Sequence, residues 1–319
     1  MSRRDVDVPS LVEAARGGSP RAVARLISLV ENADPRLREV MAALAPHTGR
    51  ARIIGLTGSP GVGKSTTTNV LVRAFRERGL RVGVLAVDPS SPFSGGALLG
   101  DRIRLVDHAL DPDVYMRSMA SRGHLGGLSW ATPQALRVLD AAGCDVIFVE
   151  TVGVGQSEVE VAGLADSVLV LLAPGMGDGV QAAKAGILEI GDVFVVNKAD
   201  REGADATVRD LRHMITLGDR TEPGLWRPSV EKLVAEKGTG LDDVMAALDK
   251  HLAWSQKSGE LGRRRTARAR WEIEQIALRL LRARMARPGE GGDLDDLAEQ
   301  VVAGTTDPYN AADRLIENL

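Results

Sequence analysis

Gly58-Ser59-Pro60-Gly61-Val62-Gly63-Lys64-Ser65 holds the residue types and spacing of a phosphate cradle, G-x-x-x-x-G-K-[ST]. The glycines let successive backbone N–H groups turn inward as an anion-binding nest. A helix opening at Lys64 adds its positive N-terminal end. Lys64 then reaches the β- and γ-phosphates of a nucleotide, and the Ser65 hydroxyl is placed to ligate Mg²⁺. Thr66 follows in the same first turn. The apolar Ile53-Ile54-Gly55-Leu56 ahead of the loop reads as a buried strand, which is the context the loop needs.

A second constellation addresses the base. The apolar run Val193-Phe194-Val195-Val196 ends in Asn197-Lys198-Ala199-Asp200, an N-K-x-D pattern. Asp200 can accept hydrogen bonds from the ring N–H and exocyclic amine of guanine. Adenine would leave that carboxylate unpaired, and sites built this way reject the mismatched base strongly. Asn197 is read as a brace between loops, and the Lys198 stem lies along the base. Val234-Ala235-Glu236-Lys237-Gly238-Thr239-Gly240, after the segment 226–230, is the candidate backing loop whose N–H groups meet the guanine carbonyl.

Acidic residues close three further stretches. Asp88 ends the run Val82–Val87, and Asp101 follows a glycine-rich stretch. Glu150 ends Val146–Val149 and is followed by Gly153, an E-x-x-G where many GTPases carry D-x-x-G. Mg²⁺ keeps several waters, so one or two of these carboxylates, acting directly or through water, suffice. Asp101 fits the N-cap of a helix equally well. No glutamine follows Gly153. Val154 stands there, with Gln156 displaced, which predicts slow intrinsic hydrolysis until a partner completes the site. The loop 173–184 carries Asp178 and Lys184, which fit either a nucleotide contact or a helix cap and a surface lysine.

The elements that must position these residues alternate strand and helix. Strands are expected at 52–57, 82–87, 113–117, 145–150, 167–173 and 192–196. Helices are expected to open near Lys64, Asp101, Thr132, Ser157, Gly179 and Asp205. Near-continuous apolar strands such as Val168–Leu172 imply burial on both faces. The fold class is therefore α/β: a P-loop NTPase with a mainly parallel sheet covered by helices. An antiparallel edge strand stays open. Helical spacing over residues 8–46, broken near Gly17-Gly18 and Pro35, marks an N-terminal helical extension. Ile273, Ile276, Ala277, Leu280 and Leu281 make an amphipathic helix in the tail, and a short helical pair follows Gly289–Gly292. The domains read as 1–48, the extension; 49–255, the nucleotide domain; and 256–319, a helical arm that packs on another subunit.

Bulk composition agrees. The chain has 319 residues, 44% of them apolar and only 3% aromatic, so its core is built from aliphatic side chains. A net charge of −3 argues against nucleic acid as a partner. The cluster Arg263, Arg264, Arg265, Arg268 and Arg270 reads as a solvated helix face or a subunit contact. One cysteine, Cys144, excludes an intramolecular disulfide and reads as a small buried residue. With no secretory leader and no membrane-length apolar run, a cytoplasmic protein with no membrane partner is expected.

Taken together, GSPGVGKST, VDPSSPFSGGALLGDRIR, RSMASRGHLGGLS, VETVGVGQSE, APGMGDGVQ, NKAD and DPYNAAD resemble the MeaB/ArgK GTPases over nearly the whole chain. The resemblance implies a GTP-hydrolysing chaperone of the adenosylcobalamin-dependent methylmalonyl-CoA mutase, which gates cofactor loading and protects the mutase. It implies a homodimer joined through the C-terminal arm, with GTP, GDP and Mg²⁺ as ligands. By motif position Asp88, Asp101 and Glu150 match the Mg²⁺-linked acids, and Asp178 and Lys184 match a third switch loop. Lys64, Asp101, Glu150 and Lys184 then form the catalytic set. One departure is Val234-Ala235, where the family's loop often begins Ser-Ala. Two other readings compete. A kinase or ATPase serving arginine or ornithine transport is disfavoured by N-K-x-D. A metallochaperone is disfavoured by one cysteine and five scattered histidines.

Overall fold

In a computed structural model, the described residues are 7–88, 108, 110–120, 130–151, 157–175, 186, 188–217, 224–285 and 294–317. The chain divides into two compact units, Met1–Arg265 and Thr266–Leu319.

The larger unit is built on seven strands: β1 Arg52–Thr57, β2 Val82–Asp88, β3 Val114–Ala120, β4 Val146–Thr151, β5 Ser167–Leu172, β6 Val193–Asn197 and β7 Ser229–Leu233. They lie in the order β3-β2-β4-β1-β5-β6-β7. Every pairing between them is parallel. The sequence left an antiparallel edge open; the two edge strands, β3 and β7, both pair parallel with their neighbours. β1, β4, β5 and β6 are buried along their full length.

Period-two alternation explains why these strands read as unbroken apolar runs. Along β5, Val168 and Val170 enter one core, while Leu169 and Leu171 enter the other. Helices supply the opposing surface of each core. The helices α4 Lys64–Glu77 and α8 Leu241–Lys257 cover the face of Leu169. The other face is covered by α5 Thr132–Ala141, α6 Ser157–Leu164 and α7 Ala204–Leu217.

The N-terminal helices join that second face. They are α1 Val8–Arg16, α2 Pro20–Glu31 and α3 Leu37–Leu44. The breaks fall at Gly17-Gly18 and around Pro35, where the sequence places them. Ser19 caps α2 by accepting from the Ala22 N–H. Val12, Leu26, Ile27, Val30 and Leu44 share one core with Leu85 of β2 and Ile147 of β4. Burying a side chain of this size contributes about 1.5–3 kcal/mol. The extension is thus part of the larger unit's core.

Helix α9, Glu260–Met285, begins in the larger unit and runs on into the smaller. The smaller unit also holds α10 Leu294–Val302 and α11 Pro308–Glu317. Its core is small, with Leu297, Ala311 and Leu315 packed by Met285 and Val301. Ile273, Ile276, Leu280 and Leu281 remain exposed in the single chain. Among the described residues, no helix is long and apolar enough to cross a membrane.

Candidate functional site

Parallel strands bring their carboxyl ends to one edge of the sheet, where open α/β sheets bind ligands. β1 stands between β4 and β5 there. The loop after β1 requires glycine at two points. Gly58 has φ +145°, and a Cβ there would stand 2.3 Å from the Leu171 carbonyl oxygen. Gly63 has φ +93°, and its Cβ would stand 2.4 Å from Asn197 Nδ2. Between them Ser59, Pro60, Gly61 and Val62 form the loop's turn. Lys64 opens α4 and is buried, and its Nζ donates to Gly58 O at 2.7 Å and Ser59 O at 3.1 Å. The ammonium is therefore held against the start of the loop. Thr66 is exposed in that turn.

Glu150 at the end of β4 turns back toward α4. Its Oε1 accepts from Ser65 Oγ at 2.8 Å, and its Oε2 accepts from Thr68 Oγ1 at 3.0 Å. Ser65 and Thr68 are three residues apart, so one helix face presents both hydroxyls. Hydroxyl and carboxylate oxygens are the hard donors Mg²⁺ takes. Among the described residues, no group of three or more His, Cys, Asp or Glu could hold a metal. A cation here would lean on Ser65, Glu150 and nucleotide phosphates, which suits a metal that arrives with its nucleotide. Asp88 closes β2 at the same edge, paired in register with Ala120.

Asn197 ties the glycine-rich loop to the turn after β7. Its Nδ2 donates to Val62 O at 2.8 Å, and its Oδ1 accepts from the Ala235 N–H at 3.1 Å. Lys198 adopts φ +57° and its Nζ donates to Gly61 O at 2.7 Å. Its stem is thereby drawn across the phosphate loop. Asp200 is exposed, and its Oδ2 accepts from Lys237 Nζ at 2.9 Å. That bond holds the Asp200 carboxyl below the usual carboxylate range. In the backing loop, the Val234 N–H goes to Thr239 O and the Ala235 N–H to Asn197.

The comparisons with known proteins agree with this geometry. The family described as methylmalonyl Co-A mutase-associated GTPase MeaB matches residues 23–289. The chain belongs to the MeaB family. A Pyrococcus abyssi protein with a provisional GTPase name is 46% identical over 313 residues, covering 98% of this chain and 97% of its own. The mouse mitochondrial methylmalonic aciduria type A homolog is 33% identical over 322 residues, covering 94% and 76%. A crystal structure described as LAO/AO transport system kinase aligns with a TM-score of 0.73 at 25% identity over 99% of both chains.

Of the residues expected to serve a MeaB-type GTPase site, the structure gathers Gly58 to Thr66, Glu150, Asn197, Lys198, Asp200 and Val234 to Glu236 along one edge of the sheet. Asp101, Gly153, Gln156, Asp178 and Lys184 lie outside the described residues. Two contacts were not read from the sequence. Thr68 was detectable from its i,i+3 spacing to Ser65. Lys237 lies in the expected backing loop, but its side-chain contact with Asp200 spans 37 residues and carries no local signal.

The opposite edge corrects the reading of Arg264 and Arg265 as a solvated or intersubunit face. Arg264 grips Asp192 Oδ2 at 2.6 Å and Oδ1 at 2.9 Å. Arg265 Nη2 donates to Asp166 Oδ2 at 2.8 Å and to Ala51 O at 2.9 Å. The two acids precede β6 and β5 and satisfy strand N–H groups, Asp192 that of Val168 and Asp166 that of Ile53. Buried carboxylates demand charged partners, and α9 supplies them. Ser167 Oγ lies 2.8 Å from His251 Nδ1, and His251 Nε2 lies 3.3 Å from Asp192. Their exposures of 0%, 0% and 2% close this trio to any substrate, so its role is structural. Cys144 is buried, as its position before β4 implied, and burial pushes its thiol up.

Proposed function

We propose that this protein binds GTP with Mg²⁺ and hydrolyses it to GDP and phosphate, slowly when alone. The observation that carries the nucleotide reading is the double tie of Asn197 to Val62 and Ala235. It fastens a guanine-reading Asp200 to a phosphate-binding loop at a fixed span. Lys64 neutralises charge building on the transferred phosphoryl. The Ser65 oxygen faces the cation while its proton goes to Glu150. Mg²⁺ held by Ser65 and Glu150 would supply charge neutralisation for the nucleotide's phosphates. In this proposal Asp88 and Asp101 complete the metal's acids, the Gly153 amide senses the γ-phosphate, and Asp178 and Lys184 couple the nucleotide to the partner.

The client is a methylmalonyl-CoA mutase that depends on adenosylcobalamin, and the GTP cycle gates cofactor loading and protects the enzyme. Support comes from the family's description as mutase-associated. Val154, where Ras-like enzymes carry glutamine, favours a partner that completes hydrolysis. We place the protein in the cytoplasm as a homodimer, with segments 1–48, 49–255 and 256–319 as extension, nucleotide domain and dimerisation arm. The arm's exposed Trp271, Ile273, Ile276 and Leu280 support that pairing.

A second reading, a kinase in amino-acid transport, has the description of one structural relative behind it. GTP and ATP turnover, measured with and without the mutase of the same organism, separates the two. Preference for GTP with strong stimulation by the mutase supports the chaperone. ATP preference sinks it, and GTP turnover indifferent to the mutase points to another client.

A further inference from the structure

Asp200 carries the reading of the base, and the structure pairs it with a backing-loop residue to whose side chain the motifs assign no role. Lys237 Nζ donates to its Oδ2 at 2.9 Å. The turn that presents Lys237 is closed by three backbone bonds. The Lys237 N–H reaches Val234 O at 2.9 Å, the Gly238 N–H reaches Ala235 O at 3.3 Å, and the Val234 N–H reaches Thr239 O at 2.9 Å. The same turn is fastened to the N-K-x-D stretch twice more, by Ala235 N to Asn197 Oδ1 and by Ala199 N to Leu233 O. Lys237 therefore approaches Asp200 from a platform that cannot drift independently of it.

We propose that Lys237 is a positioning residue for base specificity, holding the Asp200 carboxylate in the orientation that accepts the guanine N–H donors. This rests on the guanine-nucleotide reading above. A carboxylate offers about four lone-pair sites. One ammonium occupies one, leaving room for the ring N–H and the exocyclic amine. Without the lysine, an exposed aspartate samples several rotamers and must be ordered when the base arrives, which weakens binding. Side-chain exposures of 65% for Lys237 and 43% for Asp200 put the pair in reach of salt. Its effect is therefore modest and falls as ionic strength rises. Ligands that do not use Asp200 do not feel it.

The test is equilibrium binding of GDP, ADP and inorganic pyrophosphate to the full chain at low and high salt. Wild type is compared with Lys237→Ala, Lys237→Arg, Asp200→Ala and the Lys237→Ala/Asp200→Ala double variant. The expected result is a GDP affinity about three- to fivefold weaker in Lys237→Ala at low salt, the scale of an exposed ion pair. The loss shrinks at high salt, pyrophosphate binding is unchanged, and Lys237→Arg restores most of the affinity. In the Asp200→Ala background the lysine change costs nothing further. Equal losses for GDP and pyrophosphate, an undiminished loss without Asp200, or unchanged or tighter GDP binding would each overturn the proposal. Wild type binding ADP as well as GDP is a separate failure. It removes the guanine reading itself, and no lysine variant is needed to see it.

Discussion

Replacing Arg264 by alanine strips one of the two side-chain partners from a buried carboxylate. Asp192 accepts two bonds from Arg264 and holds the Val168 N–H at 2.8 Å. Burial pushes the Asp192 carboxyl up, but bonds from His251 and Arg264 outweigh it and bring it down from 3.8 to about 2. That lowering corresponds to roughly 2 kcal/mol of native-state stabilisation, shared between the two side chains. Breaking a buried pair by removing one member costs about 3–5 kcal/mol. His251 stays 3.3 Å away and the Arg264 side chain is 26% exposed, so the lower end applies. The expectation is a loss of about 3 kcal/mol at pH 7. Urea unfolding followed by tryptophan fluorescence measures it, because Trp226 Nε1 donates to the Asp192 carbonyl at 2.7 Å. A carboxyl with a depressed native value contributes stability that is complete above about pH 4. That stability drains away as pH falls toward 2, so the gap between wild type and variant narrows across that window. Adding Asp192→Asn to the variant removes the uncompensated charge and recovers part of the loss. A change below about 0.5 kcal/mol, or no recovery with asparagine, refutes the reasoning.

Three further changes probe the site and the core. Gly63→Ala puts a side chain at φ +93° and 2.4 Å from Asn197 Nδ2, displacing the brace between the two loops. GDP affinity by calorimetry should fall at least about tenfold, and wild-type affinity would rule out the brace. Glu150→Gln weakens the acceptor for Ser65 and Thr68. The Mg²⁺ concentration for half-maximal GTP turnover should rise about tenfold or more, and an unmoved midpoint would show that the carboxylate does not serve the metal. Cys144 is buried with its thiol pushed up, so a disulfide reagent should label it only on unfolding. Rapid labelling of the native protein would contradict the packing of β4.

The amino-acid sequence determined by itself whatever local chemistry dictates. The six strands it marks are six of the seven in the sheet. Aliphatic runs buried on both faces fit only a covered parallel sheet, and the breaks at Gly17-Gly18 and Pro35 punctuate the helices where backbone freedom requires. The motifs holding Lys64, Ser65, Asn197 and Asp200 were legible as patterns of fixed residue types at fixed spacing, and the fold brings them to one edge of the sheet. β7 was not legible. Ser229-Val230-Glu231-Lys232-Leu233 is half-exposed at an edge and carries no apolar run. Arg264 and Arg265 read as a charged surface, because a charge run looks the same whether water or a buried acid receives it. Only the tertiary structure brought Arg264 and Arg265 of α9 to Asp192 and Asp166 at the roots of β6 and β5, where burial makes a bound arginine necessary. Lys237 belongs to the same class. Its bond to Asp200 exists because β6 and β7 lie side by side, and adjacency in a sheet is set by packing of the whole chain.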